Sequence, residues 1–115
     1  MSRHSETTYL NHMRDYAAEA LQFSQGHTRP DLETDRMFML ATCRLLEMLG
    51  EAASQLASSF CEVTPQIPWR RIISLRHRHV HAYDQINFHI IWNIVTVDLP
   101  PLISALNDLM KPPPL

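Results

Sequence analysis

The stretch that decides the fold is Phe38–Leu56, FMLATCRLLEMLGEAASQL. Its apolar residues recur at the i, i+3, i+4 and i+7 spacing of an amphipathic helix. An apolar arc this wide predicts a helix that is central in the fold, or buried against a partner chain. The main stripe consists of Phe38, Ala41, Leu45, Leu49, Ala52 and Leu56, and Met37, Leu40 and Met48 widen it.

Gly50 lies inside this predicted helix, where a glycine costs about 1 kcal/mol relative to alanine. The usual reason for such a glycine is the close approach of another helix, so we expect close packing at Gly50. The helix itself is predicted to begin near Pro30 and to end near Ser58. Acidic residues in its first turns, Asp31, Glu33 and Asp35, suit the positive end of the helix dipole.

Three further helices are predicted, one before this helix in the chain and two after it. The first runs from about Thr8 to Ser24, with Gly26 as its C-cap. The helix that follows the central one begins at Pro68, because proline is well placed in a first helical turn, and it ends near His81. Loops between the helices are short, so neighbours should be antiparallel.

The last predicted helix begins at Asn87, a good N-cap residue. Pro100 and Pro101 cannot lie in an uninterrupted helix interior, so we expect a kink or a restart there. Asp98 is the candidate cap of the restarted helix. The predicted fold class is therefore all-α, an antiparallel four-helix bundle with a kinked or broken last helix.

Length and composition fit one domain over residues 1–115, with a disordered proline-rich tail at 111–115. The start has no apolar signal sequence, and no apolar run approaches the roughly 18 residues of a membrane span. No membrane association is therefore expected. Cys43 and Cys61 have no CxxC spacing, and a reduced, cytoplasmic protein is the simplest interpretation. A net charge of −2 argues against general coating of nucleic acid.

Charge is nevertheless concentrated in Leu75–Asp84, LRHRHVHAYD. One interpretation is a metal site at His77, His79 and His81. On a helix, however, His79 points away from the other two, and no neighbouring carboxylate or thiolate completes the four ligands of a structural zinc site. A second interpretation is a solvated helix end, where basic residues meet the negative end of the dipole; that explains one or two of them.

A third interpretation is phosphate chemistry. Cleaving RNA without a metal needs a base for the 2′-hydroxyl, an acid for the leaving 5′-oxygen and a cation on the phosphorane. Histidine suits the proton transfers, and arginine suits the phosphoryl charge. Arg76 and His81 are about 140° apart on an ideal helix, so two copies related by a two-fold axis are one way to bring both types into one cleft.

The pattern R-x-x-x-x-H-x-Y at Arg76, His81 and Tyr83 resembles the signature of the HepT-like toxins. These are minimal HEPN-superfamily ribonucleases that are paired with an MntA-type nucleotidyltransferase antitoxin. The resemblance covers roughly residues 35–106. Its other segments are MLGEAASQL (Met48–Leu56), PQIPWRRI (Pro65–Ile72) and IIWNIVTVDLPPLISAL (Ile90–Leu106).

The resemblance implies a HEPN bundle that forms a homodimer, with the active site in the cleft between the protomers. The implied activity is that of a type VII toxin, a metal-independent endoribonuclease acting on cellular RNA, with tRNA a candidate substrate. No cofactor is implied. Arg76 would stabilise the transition state, His81 would be the acid–base residue, and Tyr83 would accept AMP from the antitoxin.

Three residues are expected to have supporting or RNA-binding roles: Glu51, His77 and Arg78. Glu51 would orient Arg76 or His81, although a structural helix contact explains it as well. His77 stands where the family commonly has asparagine. The competing hypothesis is a non-catalytic module that binds nucleotide or RNA and docks the nucleotidyltransferase, and a metalloprotein is the third.

Overall fold

The computed structural model describes residues 2–78 and 87–112, with only the backbone of residues 77 and 78. In this part of the chain every regular element is helical, so the all-α prediction is confirmed. The elements are α1 (Arg3–Ser24), α2 (Asp31–Thr34), α3 (Arg36–Ser54), α4 (Ser58–Glu62), α5 (Trp69–Arg78), α6 (Phe88–Asn93), a π-helical turn (Ile94–Asp98) and α7 (Leu99–Met110).

The first helix begins five residues earlier than predicted. Its N-cap is Ser2, whose hydroxyl oxygen accepts a hydrogen bond from the Ser5 backbone N–H at 3.1 Å. Serine is a favoured cap because its side chain satisfies one of the free N–H groups of the first turn. The chain leaves α1 through Gly26, whose φ of +80° is the left-handed conformation that glycine adopts without strain.

The predicted single helix from Pro30 to Ser58 is wrong, because the chain breaks at Asp35. This residue has extended backbone angles, φ −108° and ψ 98°. Its carboxylate accepts from the Phe38 N–H at 3.1 Å, so it caps α3 instead of continuing α2. The prediction treated Asp35 as one of several acids in a first turn and missed its capping role.

The core is arranged around α3, which packs against both α1 and α5, while α7 packs against α1. Leu46 and Leu49 of α3 are fully buried, together with Met13 of α1 and Leu106 of α7. The predicted stripe is confirmed except at its edge, where Met37 is 82% exposed and Leu40 is 43% exposed. The first turns of α3 therefore present apolar side chains to the surface.

Close packing at Gly50 is confirmed. A Cβ atom at this position would lie 2.7 Å from the Arg76 backbone nitrogen and 2.9 Å from the Ile72 carbonyl oxygen, both on α5. These are backbone atoms, so they cannot move aside as a flexible side chain could. Helices α3 and α5 approach each other this closely because Gly50 has no side chain.

The start of α5 is held by Trp69, a buried residue. Its indole N–H lies 3.1 Å from both the Thr64 carbonyl oxygen and the Thr64 hydroxyl oxygen. That hydroxyl donates to the Phe60 carbonyl at 2.8 Å, and the Phe60 and Trp69 rings meet edge to face. Helix α4, which was not predicted, supplies Phe60 and so becomes part of this anchor.

The last helix begins where predicted, with the Asn87 side chain accepting from the N–H groups of His89 and Ile90. The predicted break takes the form of the π-helical turn, in which the Leu99 N–H bonds the Ile94 carbonyl. A wider turn accommodates prolines, which have no N–H and whose rings crowd the preceding turn. Asp98 was predicted to cap a restart, but that role is wrong: it has helical angles and makes no capping bond.

The helical run Phe88–Met110 is 23 residues long and, by length and composition alone, sufficient to cross a membrane. The expectation that no segment reaches that length therefore does not hold for this run. A third of its most apolar window is buried inside the bundle. A core helix passes the same test, so one such helix is weak evidence for a span.

At the end of α7, Lys111 forms an ion pair with Asp108 at 3.1 Å. The tail was predicted to be disordered over residues 111–115. Residues 113–115 lie outside the described part of the chain. The prediction of a single domain over residues 1–115 stays a prediction.

We expect Gly50→Ala to destabilise the fold by about 1–3 kcal/mol, because overpacking against backbone atoms outweighs the better helix propensity of alanine. Urea unfolding measures the difference. The matched control is Glu51→Ala, one residue away on the exposed side of α3, which should change the free energy of unfolding by less than about 0.5 kcal/mol. A Gly50→Ala variant more stable than wild type would contradict the packing argument.

Candidate active site

Arg76 lies in the last turns of α5 and is half-buried. Its backbone nitrogen packs against Gly50, as does its Cβ, which would lie 3.3 Å from an added Cβ. The position of the Arg76 main chain is therefore set by α3, and its guanidinium extends from a fixed point.

The other predicted site residues are only partly covered. His81 and Tyr83 lie outside the described residues, as does His79. Of His77 and Arg78 the structure gives the helical backbone of α5. Whether Arg76 and His81 come together, within one chain or between two, stays a prediction.

Glu51 is exposed on α3 and lines a shallow groove against α1. Among the described residues its carboxylate makes no ion pair. Because it follows Gly50 directly, it is about 100° around α3 from the contact with α5. Its predicted role in orienting Arg76 or His81 stays untested.

A larger cleft of about 810 Å³ separates α5 from the run formed by α6, the π-helical turn and α7. Its floor includes Ile72 and Leu99, which are buried, and its rim includes Arg71 and Asp98. These two side chains form an ion pair at 3.2 Å that links α5 to the π-helical turn. Asp98 thus has a partner that the sequence did not suggest.

Sequence reasoning missed this cleft, because its walls come from segments far apart in the chain. The one available signal was the pair Pro100–Pro101, which indicated an irregular turn. π-Helical turns of this kind are frequent at functional sites.

No group of three or more metal-ligating side chains occurs among residues 2–76 and 87–112. The HxHxH pattern at His77, His79 and His81 falls outside the side chains that the structure describes. The metal hypothesis for those three residues is therefore neither supported nor contradicted.

Neither cysteine is suited to act as a nucleophile at neutral pH. Burial raises the pKa of the Cys43 thiol to about 11, and the negative charge of Glu47 adds to the effect. Burial also raises the pKa of Cys61. Because the thiolate is the reactive form, the raised pKa makes both thiols less reactive than that of a free cysteine.

Comparison with known proteins gives a consistent result. The family model "Ribonuclease HepT-like" matches residues 13–109. A Thermococcus cleftensis protein named "Probable ribonuclease HepT" is 32% identical over 98 residues, which cover 82% of this chain and 89% of the relative. A Methanocaldococcus jannaschii protein, "Putative RNase MJ0127", is 29% identical over 96% of this chain and 92% of its own.

A similarly named protein from Caldanaerobacter subterraneus is 27% identical over 90% of this chain and 92% of its own length. No solved structure matches. The family model covers far more than half of the chain, in the same region where the sequence motifs lie. The chain belongs to the HepT-like ribonuclease family.

Proposed function

We propose that this protein is the toxin of a type VII toxin–antitoxin pair and cleaves cellular RNA, with tRNA the candidate substrate, in the cytoplasm and without a metal. Family membership supports ribonuclease activity. The observation that carries the assignment to a particular site is the half-buried Arg76, whose main chain is fixed against Gly50.

In the proposed reaction His81 acts as the acid–base residue. A base removes the proton of the 2′-hydroxyl, whose oxygen then attacks the adjacent phosphorus atom. An acid gives a proton to the 5′-oxygen as its bond to phosphorus breaks. Histidine is suited to both proton transfers near neutral pH. Arg76 stabilises the added negative charge on the phosphorane, because a guanidinium stays protonated and binds two oxygens at once.

The active unit in this proposal is a homodimer, with Arg76 and His81 of both chains facing one cleft. The exposure of Met37 and Leu40 at the start of α3 supports it, since exposed neighbouring apolar side chains are typical of surfaces that meet a partner. A chain this small also gains stability by pairing.

Regulation is assigned to Tyr83. An MntA-type nucleotidyltransferase would transfer AMP to its hydroxyl, which places a bulky anion two residues from His81. Added negative charge next to the acid–base residue repels the substrate phosphate and so silences the toxin.

The second candidate function is a non-catalytic module that binds nucleotide or RNA and docks the transferase. The cleft between α5 and the last helical run favours it, because a volume of about 810 Å³ falls within the usual range of small-molecule sites. Cleavage assays separate the two candidates.

We expect purified wild-type protein to cut tRNA in the presence of EDTA. Arg76→Ala and His81→Ala should each reduce the rate by about 10²–10⁴-fold, because each removes transition-state charge stabilisation or proton transfer. Gel analysis of end-labelled tRNA measures the rates.

The matched control is Arg71→Ala, on the same helix five residues earlier, which should keep nearly full activity. Its side chain is 75% exposed and paired with Asp98. Equal cutting by wild type and both site variants would refute the catalytic assignment. Retained RNA binding with no cutting by any protein would favour the binding module.

A composite site predicts complementation between inactive chains. When Arg76→Ala and His81→Ala proteins are unfolded together and refolded, half of the dimers are mixed, and the cleft of each mixed dimer keeps one of the two Arg76–His81 pairs that form across the two-fold axis. About a quarter of wild-type activity should return if Arg76 and His81 act across the two-fold axis. The same mixture stays inactive if both residues act within one chain, and light scattering checks that dimers form.

Co-expression with the partner nucleotidyltransferase should add the mass of one or more AMP units to the intact protein, as measured by mass spectrometry. Tyr83→Phe should abolish the addition, because it removes the acceptor hydroxyl. Tyr9→Phe and Tyr16→Phe are the controls and should still be modified. An adduct that persists on Tyr83→Phe would assign the modification to another residue.

A further inference from the structure

Three aromatic side chains of α1 form a row along one side of the helix. The Tyr9 and His12 ring centroids are 6.1 Å apart, with the rings nearly perpendicular at 87°. The His12 and Tyr16 centroids are 6.2 Å apart, with the rings tilted by 49°. No two of these rings stack flat on each other, so the contacts within the row cover less ring face than a stacked pair would.

The row combines firm support with access to solvent. Tyr9 and Tyr16 are half-buried and pack against the core, whereas His12 is exposed. Contact with the core therefore holds the two tyrosine rings in place. Each ring also has a polar tip, which a surface for a purely apolar partner does not need.

Polar side chains of α3 face this row across the groove. Arg44, Glu51 and Gln55 line it together with the three rings, and its volume is about 230 Å³. Arg44 is 64% exposed and pairs with Glu47 at 3.0 Å, a surface ion pair that can open to a phosphate at little cost. The groove therefore offers ring faces, one cation, a carboxylate and an amide.

Such a set fits single-stranded RNA better than other anionic ligands. Bases stack on aromatic side chains, and arginine neutralises phosphates along the strand. Glu51 would repel a phosphate but accepts hydrogen bonds from base amino groups, as acidic side chains do from cytosine. The bases would therefore face the groove and the phosphates would lie outside it, towards Arg44.

The groove lies at the same height along α3 as the contact between Gly50 and Arg76. Glu51, at the groove, is the residue after Gly50, which contacts Arg76. The groove and the Arg76 main chain therefore contact neighbouring residues of the same turn of α3, about 100° apart around the helix. A strand that rests on the row would have to cross α3 to reach Arg76.

We propose that Tyr9, His12 and Tyr16 form a stacking platform that binds single-stranded RNA bases and leads the strand towards Arg76. This inference rests on the proposed ribonuclease function for its substrate class. It assigns the groove between α1 and α3 to substrate binding, separately from the chemistry at Arg76 and His81.

Binding is measured in full-length protein carrying His81→Ala, so that cleavage does not disturb the equilibrium. The probe is a fluorescein-labelled oligocytidylate, followed by anisotropy. Changing Tyr9 and Tyr16 to leucine and His12 to alanine together should raise Kd at least tenfold, since each lost base stack weakens binding by about fivefold or more. The Tyr9→Phe/Tyr16→Phe variant keeps the ring faces and should bind within about twofold of the parent.

Two further variants guard against loss of folding. His12→Ala changes only an exposed side chain and should by itself raise Kd by about fivefold. Phe23→Leu, an exposed aromatic residue on α1 outside the groove, should leave Kd unchanged. Circular dichroism checks that each variant keeps its helical content.

The outcomes separate this inference from the nuclease assignment. Unchanged binding by the leucine and alanine variants overturns the platform, whether or not wild type cuts RNA. Competition by duplex RNA as strong as by single strands overturns it as well, as does the absence of binding by the parent. Weakened binding by the row variants supports the platform even if wild type proves unable to cut.

Discussion

The structure depends on the contact between α3 and α5 at Gly50. With backbone atoms of α5 less than 3 Å from where a side chain would begin, no other residue fits without moving a helix. This contact fixes the height and rotation of α5 against the central helix. Because Trp69 anchors the start of the same helix through Thr64, α5 is held at both its first turn and its later turns. The predicted catalytic segment therefore extends from a well-supported helix.

Local signals made several features predictable. Asn87 indicated a helix start because capping is chemistry within a few residues. Glycine inside an apolar helix indicated close packing, because its cost in a helix is usually offset by a close neighbour, although it did not say which helix that neighbour would be. The break at Asp35 was harder to foresee. An aspartate in that position suits both the first turn of one helix and the cap of the next, and only the packing of Phe38 into the core decides between them. Met37 and Leu40 likewise have the periodicity of core residues but lie outside the bundle.

The residues of the candidate site also differ in whether the sequence could predict them. Arg76 could be singled out because its motif is continuous in sequence and matches a family pattern. The cleft beside Asp98 and the groove between α1 and α3 could not, since each requires side chains from helices that are distant in the chain. Asp98 shows the limit clearly: in sequence it resembles a cap next to prolines, whereas in space it pairs with Arg71. Placing such residues requires knowledge of which helices are neighbours.

The contact at Gly50 is made mainly by backbone atoms of α5, so it does not depend on the charge of the side chain at position 76. The helix contact and the charge at position 76 can consequently change independently in evolution. A lineage in which a harmful activity is selected against can lose that charge in a single substitution and still keep the backbone contact between α3 and α5. Replacement of the glycine disturbs the helix contact and also shifts α5, the helix that carries Arg76. Substitutions at these two positions therefore have different consequences: one removes the charge and keeps the helix contact, and the other lowers the stability of the fold.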